Sequence, residues 1–126
     1  MTEDNKKRIL IVEDDLFLNS LLGKKLFEMG EFVFNAKSGE EMFEILKTQK
    51  VDIIGLDLML PGMSGFDILR KLKEDVNTKD IPVVIVSNLG QKNDMEMGLK
   101  LGAKKFLVKA LYSIDELAEQ FLEVLK

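Results

Sequence analysis

A chain that alternates five times between short apolar runs and amphipathic stretches has few folds open to it. The runs at residues 9–12, 32–36, 51–56, 81–86 and 106–108 are apolar almost throughout. That is the pattern of strands covered on both faces rather than one. Pro82 has no N–H to give to a ladder, so it is tolerated only near the start of its strand. Parallel strands need crossover connections, and a helical stretch follows each run. The predicted fold is therefore α/β: a doubly wound five-stranded parallel sheet with five helices. Right-handed crossovers leave few strand orders.

The helical stretches carry their own signals. The first sets Leu18, Leu21, Leu22 and Leu26 on one side and stops at Gly30. Ser38 followed by Glu41, and Ser113 followed by Glu116, are capping-box patterns that open the second and fifth helices. The second helix carries Met42, Phe43, Ile45 and Leu46. The third is expected over 64–75, the fourth over 91–101 with Gly102 as its stop, and the fifth running toward Lys126. Residues 1–7 read as a polar N-terminal tail and 8–126 as one domain, with no repeat or linker.

Composition narrows the chemistry. Among 126 residues there is no Cys and no His, which removes thiol catalysis, disulfides, and the usual general base and transition-metal ligand. Chemistry must rest on carboxylates, hydroxyls, Lys or Arg. With 18 Lys+Arg against 22 Asp+Glu, the chain has no global attraction to nucleic acid. No apolar run approaches the roughly 20 residues that cross a bilayer, and the N-terminus lacks a signal peptide's apolar core. A cytoplasmic protein without a membrane or nucleic-acid partner is expected.

In open α/β sheets ligands bind beyond the carboxyl ends of the strands, so the residues there matter most. Glu13, Asp14 and Asp15 follow the first strand and Asp57 the third; Ser87 and Asn88 end the fourth, and Lys109 the fifth. Taken singly, each is commonly a helix cap, a turn residue or a solvated charge, and Asp15 reads as an N-cap. Together they define a site. Two carboxylates about 4 Å apart repel by roughly 4 kcal/mol at a near-surface dielectric, so three acids need a shared cation or proton. An all-oxygen donor set suits Mg²⁺, with Mn²⁺ as a substitute. Lys109 supplies a second positive charge and Ser87 a donor. The combination describes a phosphoryl-transfer site with Asp57 as a carboxylate nucleophile. Gly62-Met63-Ser64-Gly65 lacks both phosphate-loop patterns and reads as turn chemistry after Pro61.

At this point the sequence resembles the response-regulator receiver family of two-component signalling. The resemblance rests on Ile9-Leu10-Ile11-Val12-Glu13-Asp14-Asp15, on Asp57-Leu58-Met59-Leu60-Pro61-Gly62-Met63-Ser64-Gly65, and on Gly102-Ala103-Lys104-Lys105-Phe106-Leu107-Val108-Lys109. It covers nearly the whole chain. It implies a flavodoxin-like sheet of order 2-1-3-4-5. It also implies Asp57 as the acceptor of a phosphoryl group from a phosphohistidine on a sensor histidine kinase or histidine phosphotransfer protein. Asp14 would bind Mg²⁺ directly, Glu13 through water and Met59 through its backbone carbonyl, with Asp57 also among the metal residues. Ser87 and Lys109 would contact the phosphoryl oxygens, with Ser87 and Phe106 forming the switch. The surface of helix four, strand five and helix five would be read by an output partner or joined in a homodimer. No effector segment follows the fifth helix, which fits a stand-alone regulator or a domain of a longer one.

Three departures from the family pattern are informative. Ala110 stands where the family has a Pro after the lysine in a cis bond; a cis bond to a non-proline residue costs about 3 kcal/mol, so either strain is kept or the loop differs. Asn88 is larger than the usual small residue, and can crowd donor entry or add a phosphoryl contact. Met59 and Leu89 are both apolar where an attacking water would pass, which predicts slow loss of the phosphoryl group. In helix four, Met95, Met97, Leu99 and Leu101 exceed one buried stripe. The favoured reading is loose core filling by Met; the sharper one is an exposed partner face at Met97 and Leu101.

Rival functions fit less well. A haloacid-dehalogenase-type phosphatase resembles a DxD pattern, whereas Leu58-Met59 follow Asp57. A flavodoxin-like electron carrier needs a hydroxyl- or glycine-rich loop where Glu13-Asp14-Asp15 stand. A degenerate receiver acting as a phosphorylation-independent binding module is the remaining alternative, with Ala110 as its main support.

Overall fold

The computed structural model describes residues 6–126. Five parallel strands, β1 (Arg8–Val12), β2 (Phe32–Ala36), β3 (Ile53–Leu56), β4 (Val83–Ser87) and β5 (Lys105–Val108), form one sheet of order β2-β1-β3-β4-β5. The helices are α1 (Leu16–Glu28), α2 (Gly39–Thr48), α3 (Gly65–Glu74), α4 (Lys92–Lys100) and α5 (Ile114–Val124). Of the tail expected at residues 1–7, residues 1–5 lie outside the described residues. Lys7 is already tied to the sheet edge, its N–H donating to Glu31 Oε1 at 2.8 Å and its carbonyl accepting from Phe32 N–H at 2.9 Å.

Alternation along the strands divides the apolar side chains between two cores. Leu10, Val12, Ile54, Leu56, Val83, Ile85 and Phe106 face Met42 of α2 and Ile68, Leu69 and Leu72 of α3. Ile9, Ile11, Ile53, Val84, Val86 and Leu107 face Leu22 and Leu26 of α1 and Leu117, Ala118 and Phe121 of α5. This accounts for the continuous apolar runs of β1, β3 and β4, which are covered on both faces, whereas the edge strand β2 is half-buried and Asn35 is exposed. Each such side chain, fully buried, contributes on the order of 1.5–3 kcal/mol.

Several boundaries differ from expectation, each for a local reason. β3 starts at Ile53 rather than at residue 51, because the Asp52 carboxylate accepts from Arg8 N–H at 2.8 Å and anchors the bottom of β1. β4 starts at Val83; Pro82 stays outside and lends only its carbonyl, which accepts from Ile54 N–H at 3.0 Å. The capping box of α5 is complete, with Glu116 N–H to Ser113 Oγ at 3.1 Å and Ser113 N–H to Glu116 Oε1 at 2.8 Å. That of α2 is half formed: Ser38 Oγ accepts from Glu41 N–H, but Glu41 Oε1 turns to the N–H of Lys37. On α1 the buried face comprises Asn19, Leu22, Gly23 and Leu26, while Leu21 is exposed. On α4, Met95 and Leu101 pack against the core, so the exposed pair is Met97 and Leu99 rather than Met97 and Leu101.

The turn after β3 carries the strictest packing constraint near the site. Ser64 caps α3 by accepting from Asp67 N–H at 3.2 Å. At Gly65 a Cβ would come within 2.4 Å of Leu58 Cα and 2.7 Å of the Asp57 carbonyl oxygen. Both are backbone atoms, so the α3 terminus must separate from the strand end to admit any side chain. Gly65→Ala is expected to lower stability by about 1–3 kcal/mol, read as a fall in the urea unfolding midpoint; an unchanged midpoint would show that this contact is slack.

Candidate functional site: an acidic pocket closed by a lysine

Strand register places the site. Val12 pairs with Leu56, so the next residues, Glu13 and Asp57, leave adjacent strands side by side. At the other end of the row Ser87 pairs with Val108, and Lys109 follows directly. Carboxylate oxygens of Glu13, Asp14 and Asp57 all lie within 4.8 Å of one another. Glu13 and Asp57 are buried, whereas Asp14 is exposed.

Lys109 closes the pocket. Its Nζ stands 2.5 Å from Glu13 Oε1 and 2.9 Å from Asp57 Oδ2, with 16% of its side chain exposed. The remaining carboxylate oxygens are held by backbone: Asp15 N–H donates to Glu13 Oε2 at 3.0 Å, and Met59 N–H to Asp57 Oδ1 at 3.0 Å. Burial raises the pKa of Glu13, the hydrogen bond from Lys109 pulls it back, and the charge of Asp57 pushes it up again; the net shift is upward. For Lys109, burial favours the neutral amine, but the hydrogen bonds and charges of Glu13 and Asp57 outweigh it and hold the pKa above the usual 10.5.

The segment beyond Lys109 resolves the question raised by Ala110. No cis peptide occurs among the described residues, and Lys109–Leu111 form a single 3-10 turn. The loop therefore differs from a cis-proline corner, yet Lys109 still reaches both acids. Asp15 caps α1 as expected, accepting from Phe17 N–H at 3.1 Å and Leu18 N–H at 3.2 Å. Ser87 is fully buried, its Oγ accepting from Leu89 N–H at 3.2 Å, which leaves its own hydrogen free to donate. Asn88 and Met59 are exposed at the rim and Leu89 is half-buried. Phe106 is buried, packed beside Gly98 of α4.

One contributor escaped the sequence reading. Asn19 lies on the buried face of α1, where Leu is the ordinary choice, and its Nδ2 donates to the Glu13 carbonyl at 2.9 Å. A buried-face Asn one turn after an acidic run is the signal that was there to be read.

The donor set fits a hard divalent cation: three carboxylates with no nitrogen or sulfur ligand, at a mouth open on the Asp14 side. The chain belongs to the response regulator receiver domain family, whose model matches residues 9–121. It is a receiver of two-component systems. The phosphate regulon transcriptional regulatory protein PhoB of Pseudomonas aeruginosa is 32% identical over 120 residues, covering 95% of this chain and 52% of PhoB. The chain spans about half the length of the curated relatives it matches. Among solved structures, the receiver domain of the Francisella response regulator 1452 superposes with a TM-score of 0.85 at 28% identity, over 94% of this chain and 96% of that one. The Mn²⁺-bound form of the response regulator Rcp1 shares the fold, with a TM-score of 0.82 at 23% identity over 95% of this chain and 97% of that one.

Replacing Lys109 with Met leaves Glu13 and Asp57 facing one another without their cation. In metal-free buffer Lys109→Met is expected to lose on the order of 1–3 kcal/mol of stability, less than a fully buried pair because Nζ still meets solvent. Because the folded pKa of Lys109 is raised, its contribution is complete below pH 10.5 and is lost as pH climbs through the folded value. Urea unfolding across pH should show a wild-type advantage that stays flat up to about pH 10.5 and then shrinks. An advantage that grows above pH 10.5 would contradict the pairing.

Proposed function

We propose that Asp57 accepts a phosphoryl group from a phosphohistidine of a sensor kinase or histidine phosphotransfer protein, in a reaction that depends on Mg²⁺. The observation that carries this reading is the Lys109 ammonium held against the buried Asp57 carboxylate, beside two further acids. Asp14, Glu13, Asp57 and the backbone carbonyl of Met59 would hold the ion, with Mn²⁺ as a substitute. When bound, Mg²⁺ supplies positive charge that lets an acidic pocket receive a phosphoryl group.

The chain's own residues do the rest. A carboxylate oxygen of Asp57 attacks phosphorus as the bond to the histidine nitrogen breaks, and that nitrogen keeps the electron pair. A loose transition state needs positioning and charge neutralisation more than covalent help. Lys109, already 2.9 Å from Asp57, is placed to pair with a phosphoryl oxygen, and the free hydrogen of Ser87 can be donated to another. Asn88, exposed at the rim, offers its amide to the same group. Movement of Ser87 toward the phosphoryl group would let Phe106 shift within its core site, altering the α4–β5–α5 surface. That surface would signal to an output partner or join two copies. We place the protein in the cytoplasm, where such kinases deliver phosphoryl groups; no described helix is long and apolar enough to cross a membrane.

Incubation with acetyl phosphate tests the proposal. With Mg²⁺ the chain should gain one base-labile phosphoryl group, absent in Asp57→Asn and strongly reduced when the metal is chelated. The apolar Met59 and Leu89 predict slow loss of that group, so a half-life of only seconds would refute this part. No modification at high donor and Mg²⁺ would favour a phosphorylation-independent binding module, whose main support, Ala110, is weakened by the reach of Lys109.

A further inference from the structure

Helix α1 places an asparagine in the middle of its buried face. Asn19 is 3% exposed, and all its amide hydrogen-bonding groups are used. Nδ2 donates to the carbonyls of Glu13 at 2.9 Å and Ala36 at 3.0 Å, while Oδ1 accepts from Nδ2 of Asn35. The Ala36 carbonyl also accepts from Glu13 N–H at 2.9 Å. One side chain thus binds the ends of β1 and β2 to α1.

A second feature of the helix serves the same arrangement. A Cβ at Gly23 would come 3.0 Å from Asn35 Nδ2, so α1 accepts a poor helix former there and leaves room for the amide that orients Asn19. The carbonyl that Asn19 holds belongs to the peptide joining Glu13 to Asp14. Fixing that peptide plane fixes where the chain carries Asp14, whose exposed side chain is aimed mainly by its backbone. We propose that Asn19 is a positioning residue for the cation site, setting the Glu13–Asp14 pair against Asp57 before any ion arrives. The inference rests on the reading of Glu13, Asp14 and Asp57 as Mg²⁺ ligands.

A merely structural role would make Asn19 matter for folding and not for the metal. The test is calorimetric titration of MgCl₂ into the full chain, comparing wild type, Asp14→Asn, Asn19→Leu and Leu26→Ala. Leu26 is a fully buried core residue further along the same helix and serves as a control for lost stability. Outer-sphere partners typically change metal affinity ten- to a hundredfold, so Asn19→Leu should weaken Mg²⁺ binding about tenfold while Leu26→Ala stays within twofold of wild type. If Asp14→Asn binds as tightly as wild type, the ligand assignment itself fails. If Asp14→Asn is weakened but Asn19→Leu stays within twofold of wild type, or Leu26→Ala weakens binding equally, the positioning role is wrong. Should Asn19→Leu not fold by circular dichroism, Asn19→Ser, too short to span both carbonyls, is held to the same outcomes.

Discussion

Glu13 and Asp57 are withdrawn from water at the carboxyl edge of the sheet, and one ammonium stands between them. Two buried carboxylates side by side would otherwise force one to bind a proton or drive the strand ends apart. Lys109 offsets that repulsion with one positive charge shared between the two carboxylates. At Glu13 burial, aided by the charge of Asp57, outweighs the hydrogen bond from Lys109, and the pKa is raised.

The backbone makes this arrangement affordable. The register of β1, β3, β4 and β5 brings residues from four separate segments to one edge without any long loop. Main-chain N–H groups of Asp15 and Met59 take the carboxylate oxygens that Lys109 does not. Gly65 lets the start of α3 lie against the Asp57–Leu58 backbone, and Asn19 holds the chain leading into Asp14. Each contact restricts an acid that would otherwise seek solvent.

Much of this was legible in the sequence. Continuous apolar runs are read through burial alone, so the five strands and the two-sided sheet followed, and the acids, hydroxyl and lysine could be placed at strand ends. What the pattern missed depends on contacts between distant segments. Asp52 shortens β3 because Arg8 lies across from it. Leu21 turns outward because Asn19 and Gly23 occupy the buried face, and an apolar periodicity does not anticipate an asparagine held by two carbonyls. Ala110 left the aim of Lys109 undecided, since the choice between a strained cis bond and a different loop depends on how β5 leads into α5. The trans 3-10 turn keeps the lysine on target.

The claim that Lys109 and Asp57 form one energetic unit is tested most directly by a double-mutant cycle on folding stability, using Asp57→Asn and Lys109→Met in metal-free buffer near neutral pH. Contacting partners in such cycles couple by about 0.5–3 kcal/mol. A favourable coupling of at least about 1 kcal/mol is predicted here, with the double variant less destabilised than the sum of the two single ones. Additivity within error would mean that the ammonium and the carboxylate do not depend on each other, and would contradict the account.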